Sequence, residues 1–283
     1  MINEKSLRIG STRVVQLNDA KGSKNTQLYA KLEYENPTGS HKDRESLALV
    51  EHCIKHNYKA IGCASTGNLG ISISYLASTF NLKCHVWVTS AISPYRESYL
   101  RAFGAEIHKE ESNLKEIYKK SSEEMLKRGI YDANPGKNDL KTSANSKIVK
   151  EIISSIPEVN SISTCINNGT HLLGLAKGLD EHKIKLNAVY THNKAAKSIS
   201  GFTAYEGLKQ IKASIRKNNG YLIEAFKEDI QIGYKYALNN GLIIEASSAA
   251  VIGTALRMVS PKEVTCLILT GSGLKYPDEI ILP

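Results

Sequence analysis

Apolar and polar positions along this chain follow two periods, one of two residues and one near 3.6, and the two alternate almost from end to end. Leu28-Tyr-Ala-Lys-Leu-Glu33 alternates side by side, which predicts a strand. From Asp43 to His56 the spacing changes and Leu47, Val50 and Ile54 share a helical face. Lys59 to Ala64 is a short apolar strand that feeds a helix from about Asn68 to Phe80. Cys84 to Thr89 predicts a strand, and helices follow over Pro94–Phe103 and Asn113–Arg128. Ile148, Ile152 and Ile156 mark the stripe of another helix. The second half repeats the theme. Ile162–Ile166, Ala188–Thr191, Leu222–Ala225 and Val264–Leu269 read as strands, and Leu172–Leu179, Asp229–Leu238 and the stretch after Ser247 read as helices. Residues 194–219 are polar and poorly periodic, and no element is predicted there. Such alternation predicts an α/β fold with doubly wound, mainly parallel sheets. In 283 residues it fits one large or two intergrown lobes. In that architecture ligands sit where strand C-termini feed helix N-termini.

Composition narrows the class. With 41% apolar and 23% charged residues the chain is neither disordered nor fibrous. No apolar run approaches the roughly 18 residues of a membrane span. The opening Met-Ile-Asn-Glu-Lys-Ser carries no apolar leader core, so a cytoplasmic protein with no membrane partner is expected. The formal charge of +9 raises a nucleic-acid partner. The basic residues are scattered, with no basic run interleaved with aromatics, so the expectation is a solvated surface that attracts anionic small molecules and no nucleic acid. Cys53, Cys63, Cys84, Cys165 and Cys266 form no C-x-x-C pair, and four of them lie in strand-like runs, which predicts reduced core thiols and no metal site.

Four turns at strand-to-helix junctions concentrate the chemistry. Asn36-Pro-Thr-Gly-Ser-His-Lys-Asp-Arg44 delivers Lys42 to the first turn of a helix. The positive helix end and burial both disfavour an ammonium, making Lys42 a candidate amine nucleophile, although a lysine binding an anion or simply solvated fits the same turn. Ser65-Thr-Gly-Asn-Leu-Gly70 offers hydroxyls, an amide and backbone N–H groups at a helix start, a cradle for a carboxylate or an ordinary N-cap. Asn167-Asn-Gly-Thr-His-Leu172 is a phosphate nest or a capped turn. In Leu269-Thr-Gly-Ser-Gly-Leu-Lys275, Thr270 or Ser272 can bond a heterocycle nitrogen or merely close a turn.

Together these turns resemble the fold type II pyridoxal-phosphate enzymes: threonine synthase, cysteine synthase, threonine dehydratase and the tryptophan synthase β subunit. Asn36–Arg44 resembles N-P-T-G-S-F-K-D-R, Ser65–Gly70 resembles S-S-G-N-T-G, and Glu245-Ala-Ser-Ser-Ala-Ala250 resembles E-P-S-S-A-A. Leu269–Lys275 is similar to the L-T-G-H-G-L-K of threonine synthase, and Ile9–Leu17 to the I-G-N-T-P-L-V-R-L of cysteine synthase. The resemblance implies pyridoxal 5'-phosphate as cofactor, with Lys42 as its Schiff-base lysine and the group that moves protons at the substrate's α and β carbons. It implies that Asn68 bonds the ring hydroxyl, that Thr270 faces the pyridine nitrogen, and that Asn167, Asn168, Gly169, Thr170 and His171 hold the phosphate, with His41 beside it. Ser65, Thr66, Gly67 and Leu69 would take the substrate carboxylate. A neutral hydroxyl at the ring nitrogen leaves the ring a weaker electron sink, which suits elimination and replacement.

The chain also departs from the pattern. Only Gly169 remains of the family's Gly-rich phosphate loop. Where threonine synthase grips its substrate's phosphate, Asp132-Ala-Asn-Pro-Gly-Lys-Asn-Asp139 keeps Asn134, and Lys137 stands for an Arg that binds bidentately. The expected function is therefore a lyase of the β/γ-elimination or replacement type on a small amino acid, first of all threonine synthase-like conversion of O-phosphohomoserine. The alternatives are cysteine synthase-like β-replacement, threonine or serine dehydration, and a catalytically impaired cofactor-binding regulator. The resemblance also implies a homodimer, a large lobe of residues 1–35 and 138–283, and a small mobile lobe of residues 36–137.

Overall fold

The computed structural model describes residues 4, 6–18, 27–134, 138–193, 196, 199, 208–258, 260 and 263–276. Two compact units emerge, one of Met1–Ile9 with Lys42–Lys141 and one of Gly10–His41 with Thr142–Pro283. Each has its own sheet.

The second unit is built on a six-stranded sheet. Its strands are β1 (Val14–Gln16), β2 (Gln27–Lys31), β7 (Ser161–Cys165), β8 (Lys185–Tyr190), β9 (Leu222–Glu224) and β10 (Val264–Ile268), in the order β1-β2-β10-β7-β8-β9. Only the β1–β2 pair is antiparallel. The alternation of side chains along β10 divides the core. Leu267 joins Ala30, Val189 and the helices α8 (Lys227–Asn239) and α9 (Ala246–Met258) on one face, whereas Cys266 and Ile268 join Ile162, Leu186 and α5 (Asp139–Ser155), α6 (Thr170–Gly178) and α7 (Leu208–Lys217) on the other. A strand buried on both faces cannot show a polar side, which is why Val264–Leu269 reads as a continuous apolar run.

The first unit carries a four-stranded parallel sheet of β3 (Ala60–Ala64), β4 (Lys83–Thr89), β5 (Glu106–Glu110) and β6 (Tyr131–Asp132), ordered β5-β4-β3-β6. Around it lie α1 (Lys42–Lys55), α2 (Asn68–Thr79), α3 (Pro94–Ala102) and α4 (Leu114–Arg128). Trp87, Met125, Ile117 and Ile130 fill the α4 side of the sheet.

Some expectations need correction. Ile54 is 42% exposed, and the buried face of α1 runs through Leu47, Val50 and Cys53. Within the unpatterned 194–219 stretch, α7 forms with only Ile211 and Ile215 buried on an otherwise basic surface. The strands β5 and β6 were not foreseen, β5 because Glu106-Ile-His-Lys-Glu110 is a polar edge strand. The stripe of Ile148, Ile152 and Ile156 is buried as expected. All five cysteines are free and buried, and burial pushes the thiols of Cys53, Cys84 and Cys266 up to about 12. Among the described residues no helix is long and apolar enough to cross a membrane.

Candidate active site

Both sheets reverse their strand order once, and at each reversal the crossover helices leave to opposite sides and open a crevice at the strand C-termini. In the second unit this point lies between β7 and β10, because β7, β8 and β9 run outward in succession and β10 returns on the other flank of β7. The residues that follow β7 are Asn167 to His171, and those that follow β10 include Thr270. In the first unit the reversal falls between β3 and β6, whose C-termini lead to Ser65–Gly70 and to Asn134. Every described candidate except His41 and Lys42 therefore occupies a switch-point loop, or the helix start behind one.

In the second unit, Gly39 turns the chain with φ +77, a conformation open to glycine at little cost, and sends Ser40 and His41 back along residues 270–272. The His41 N–H donates to the Thr270 carbonyl at 3.1 Å, and the Ser272 N–H donates to the Gly39 carbonyl at 3.0 Å. The Thr270 N–H in turn donates to Ser248 Oγ at 3.0 Å, at the start of α9. Thr270 Oγ1 lies 3.3 Å from Cys165 Sγ at the end of β7, so its hydroxyl is buried across the switch point. Helix α6 opens on Gly169 at φ +82, with no side chain capping it, and Asn168 Oδ1 accepts the Thr170 N–H at 3.3 Å. A helix start behind a left-handed glycine is the backbone geometry of an anion cradle. The His171 side chain does not face that cradle freely. Its Nδ1 lies 3.1 Å from Asn145 Oδ1 and its Nε2 3.1 Å from Thr164 Oγ1, so it braces the loop against α5 and β7. The His41 ring packs 4.6 Å from it, centroid to centroid. Asn167 is exposed and Asn168 half-buried.

In the first unit, Lys42 is the first residue of α1 and its Nζ donates to both oxygens of buried Glu45, at 2.8 and 2.9 Å. The loop Ser65–Gly67 precedes α2, whose N-cap is Gly67 with no side-chain cap. A Cβ on Gly67 would meet nothing within 4 Å, so the loop fronts open space, whereas Leu69 behind it is buried. Asn68 begins the helix itself, and Ser65 and Thr66 are half-buried. Asn134 acts as framework. Its Oδ1 accepts the Ala64 N–H at 2.6 Å, just ahead of the loop, and its Nδ2 donates to Ser121 Oγ and Ser122 Oγ. Lys137 lies outside the described residues.

Several groups escaped sequence reasoning. Glu45, Asn145, Thr164, Cys165 and Ser248 had no assigned role, although Ser248 lies inside the quoted Glu245–Ala250 run. Lys141 had no signal at all, since a polar stretch does not reveal which lysine turns inward. Its Nζ donates to the Ala133 and Asn134 carbonyls, both at 2.8 Å, and burial holds its ammonium below the usual lysine range while Glu45 opposes the shift. Lys141→Met strands both carbonyls, and we expect a loss of about 3 kcal/mol in denaturant-melt stability. A loss below about 1 kcal/mol would show that the turn at 133–134 finds other donors.

Comparison with known proteins places these features. The family described as pyridoxal-phosphate dependent enzyme matches residues 5–271. A threonine synthase of Bacillus sp. (strain ULM1) is 28% identical, with 98% of this chain and 88% of the relative covered. A cysteine synthase of a Flavobacterium species is 27% identical over 68% of this chain and 66% of its own length. Among solved structures, O-acetyl serine sulfhydrylase isoform 3 from Entamoeba histolytica aligns with a TM-score of 0.83 at 22% identity, covering 98% of this chain and 91% of that one. An O-ureido-L-serine synthase aligns at 0.80 and 19% identity, covering 95% and 91%. The structures share the two-sheet α/β fold of the tryptophan synthase β type. Since the family description runs through nearly the whole length, takes in the first three turns and reaches Thr270 in the fourth, this chain belongs to the pyridoxal-phosphate dependent enzymes.

Proposed function

We propose that the protein carries out β/γ-elimination or replacement on a small amino acid, with threonine synthase-like turnover of O-phosphohomoserine as the first reading. The family's cofactor is pyridoxal 5'-phosphate, and the donor set present fits it. A helix start stands behind the left-handed Gly169, and the Ser40 Oγ, next but one to Lys42, is fully buried with no hydrogen-bond partner among the described residues. When bound, the cofactor supplies an electron-withdrawing ring that accepts charge from the substrate's α carbon.

Every other role belongs to the side chains and backbone of this chain. Lys42 would hold the cofactor's aldehyde through its Nζ, and its amine would take and return the substrate's α proton as general base. Glu45 orients that amine. The backbone of 167–171 takes the phosphate with His41 and His171 packed behind it, and Asn68 donates to the ring hydroxyl. Ser65, Thr66, Gly67 and Leu69 hold the substrate carboxylate on a loop whose base Asn134 pins. Lys137 completes the reading toward an anionic leaving group. The observation that carries the assignment to elimination or replacement is Thr270, a buried neutral hydroxyl at the switch point where the cofactor's ring nitrogen is expected. The threonine synthase similarity along the whole chain supports the first substrate.

The test is turnover of O-phosphohomoserine, of O-acetylserine with sulfide, and of threonine. Phosphate release from the first alone supports the reading. Cysteine formation from the second, or ammonia from the third, selects β-replacement or dehydration. Inertness toward all three, with cofactor bound, leaves a regulator.

A further inference from the structure

At the opposite end of the first unit's sheet, near the N-terminal starts of β4 and β5, three side chains converge that the reaction does not use. His85 and Glu106 are register partners on adjacent parallel strands, and His108 follows two residues after Glu106, on the same face. His85 Nδ1 lies 3.2 Å from His108 Nε2 and 3.3 Å from Glu106 Oε2, and His108 Nε2 lies 3.4 Å from Glu106 Oε1. A tetrahedral ion with bonds of about 2.0–2.1 Å keeps its donor atoms about 3.3–3.4 Å apart. The two imidazole nitrogens thus already stand at the edge length of such a tetrahedron, and the carboxylate lies beside both, through Oε2 for His85 and Oε1 for His108.

We propose that His85, Glu106 and His108 form a zinc-binding site, with water as the fourth ligand, that clamps the edge strand β5 to β4. Two imidazoles and one carboxylate suit a borderline divalent d-block ion, not the oxygen-preferring calcium or magnesium. The site is prepared on one side and open on the other. The side chain of His85 is 4% exposed, whereas that of Glu106 is 58% exposed and meets solvent where an ion can enter. The His108 ring stacks on Trp87 at 4.5 Å and 16°, which fixes its plane. Arg128 is the one cation recorded near the carboxylate among the described residues, 3.9 Å from Glu106 Oε1, and Glu124 Oε1 holds its Nη1 at 2.8 Å. Since the cluster sits at the strand starts, the ion acts on the stability of this edge and not on the chemistry at the strand ends.

The experiment is a zinc titration of the cofactor-loaded protein against a chromophoric chelator, repeated with cobalt(II) for its visible ligand-field bands. One equivalent should bind, cobalt should give tetrahedral or five-coordinate bands, and the melting temperature should rise with zinc. The double variant Glu106→Gln/His108→Gln, at the partly exposed positions, should keep its fold and its cofactor absorbance but bind zinc more than about tenfold more weakly, with the cobalt bands lost. Absence of stoichiometric binding by the parent overturns the proposal and leaves a hydrogen-bonded trio. Equal affinity in parent and variant also overturns it and locates the metal elsewhere.

Discussion

Replacing Lys42 with alanine is expected to lower turnover by at least about a thousandfold, the middle of the range for a general acid–base group, and to abolish the visible absorbance of the cofactor-loaded protein. Two functions are lost together at this position, the covalent hold on the aldehyde and the proton transfer at the α carbon. Removal of the side chain also leaves Glu45, 2% exposed, without the cation it grips, so the defect of Lys42→Ala mixes chemistry with structure. Lys42→Arg separates the two. It keeps a cation against Glu45 but has no amine that condenses with an aldehyde, so it should fold like the parent and be as inactive as the alanine variant. Borohydride reduction of the loaded parent followed by peptide mapping should place the pyridoxyl group on the Lys42 peptide. Retained absorbance in both variants, or an adduct on another lysine, would remove this residue from the chemistry.

A large loss of stability is expected from Gly253→Ala. The helices α8 and α9 cross through two glycines that face each other's backbone. A Cβ on Gly253 would stand 1.8 Å from the Asp229 carbonyl oxygen, and one on Gly233 would stand 1.9 Å from the Ala249 carbonyl oxygen. A backbone atom cannot swing aside as a side-chain tip does, so the helices must part by about 1 Å. Overpacking of this kind costs on the order of 3 kcal/mol, which in a chain of this size lowers the melting temperature by roughly 5 °C. The displacement also reaches the site, because Ser248 on α9 receives the Thr270 N–H. Cofactor affinity should therefore fall along with the melting temperature. A melting temperature within about 2 °C of the parent would mean that the crossing is looser than its backbone distances imply.

Strand-to-helix alternation made the fold class legible, and the switch points explain why three of the four turns, far apart in sequence, carry candidate residues. What stayed hidden was of two kinds. Short or polar strands such as β5 and β6 gain their stability from pairing and not from their own pattern, so periodicity does not reveal them. Likewise, α7 buries just two isoleucines and presents lysine and arginine elsewhere, so its stripe is too thin to stand out. At the site, the turn glycines and Lys42 could be read because each demands a particular backbone or chemistry. The supporting partners Asn145 and Cys165 could not, because hydrogen bonds between distant segments leave no local signature, and Glu45, three residues after Lys42, looks like any acidic residue of a first helical turn. Asn134 shows the same limit from the other side. It was noticed through its resemblance to a substrate contact, yet its amide ties the base of the Ser65 loop to α4.

The sequestered thiols make this protein its own footprinting reagent. Cys53, Cys63 and Cys84 belong to the first unit, and Cys165 and Cys266 to the second. Alkylation at neutral pH must await local opening in either one. A timed pulse of iodoacetamide followed by mass spectrometry would therefore rank the two sheets by how often each opens, with no engineered label.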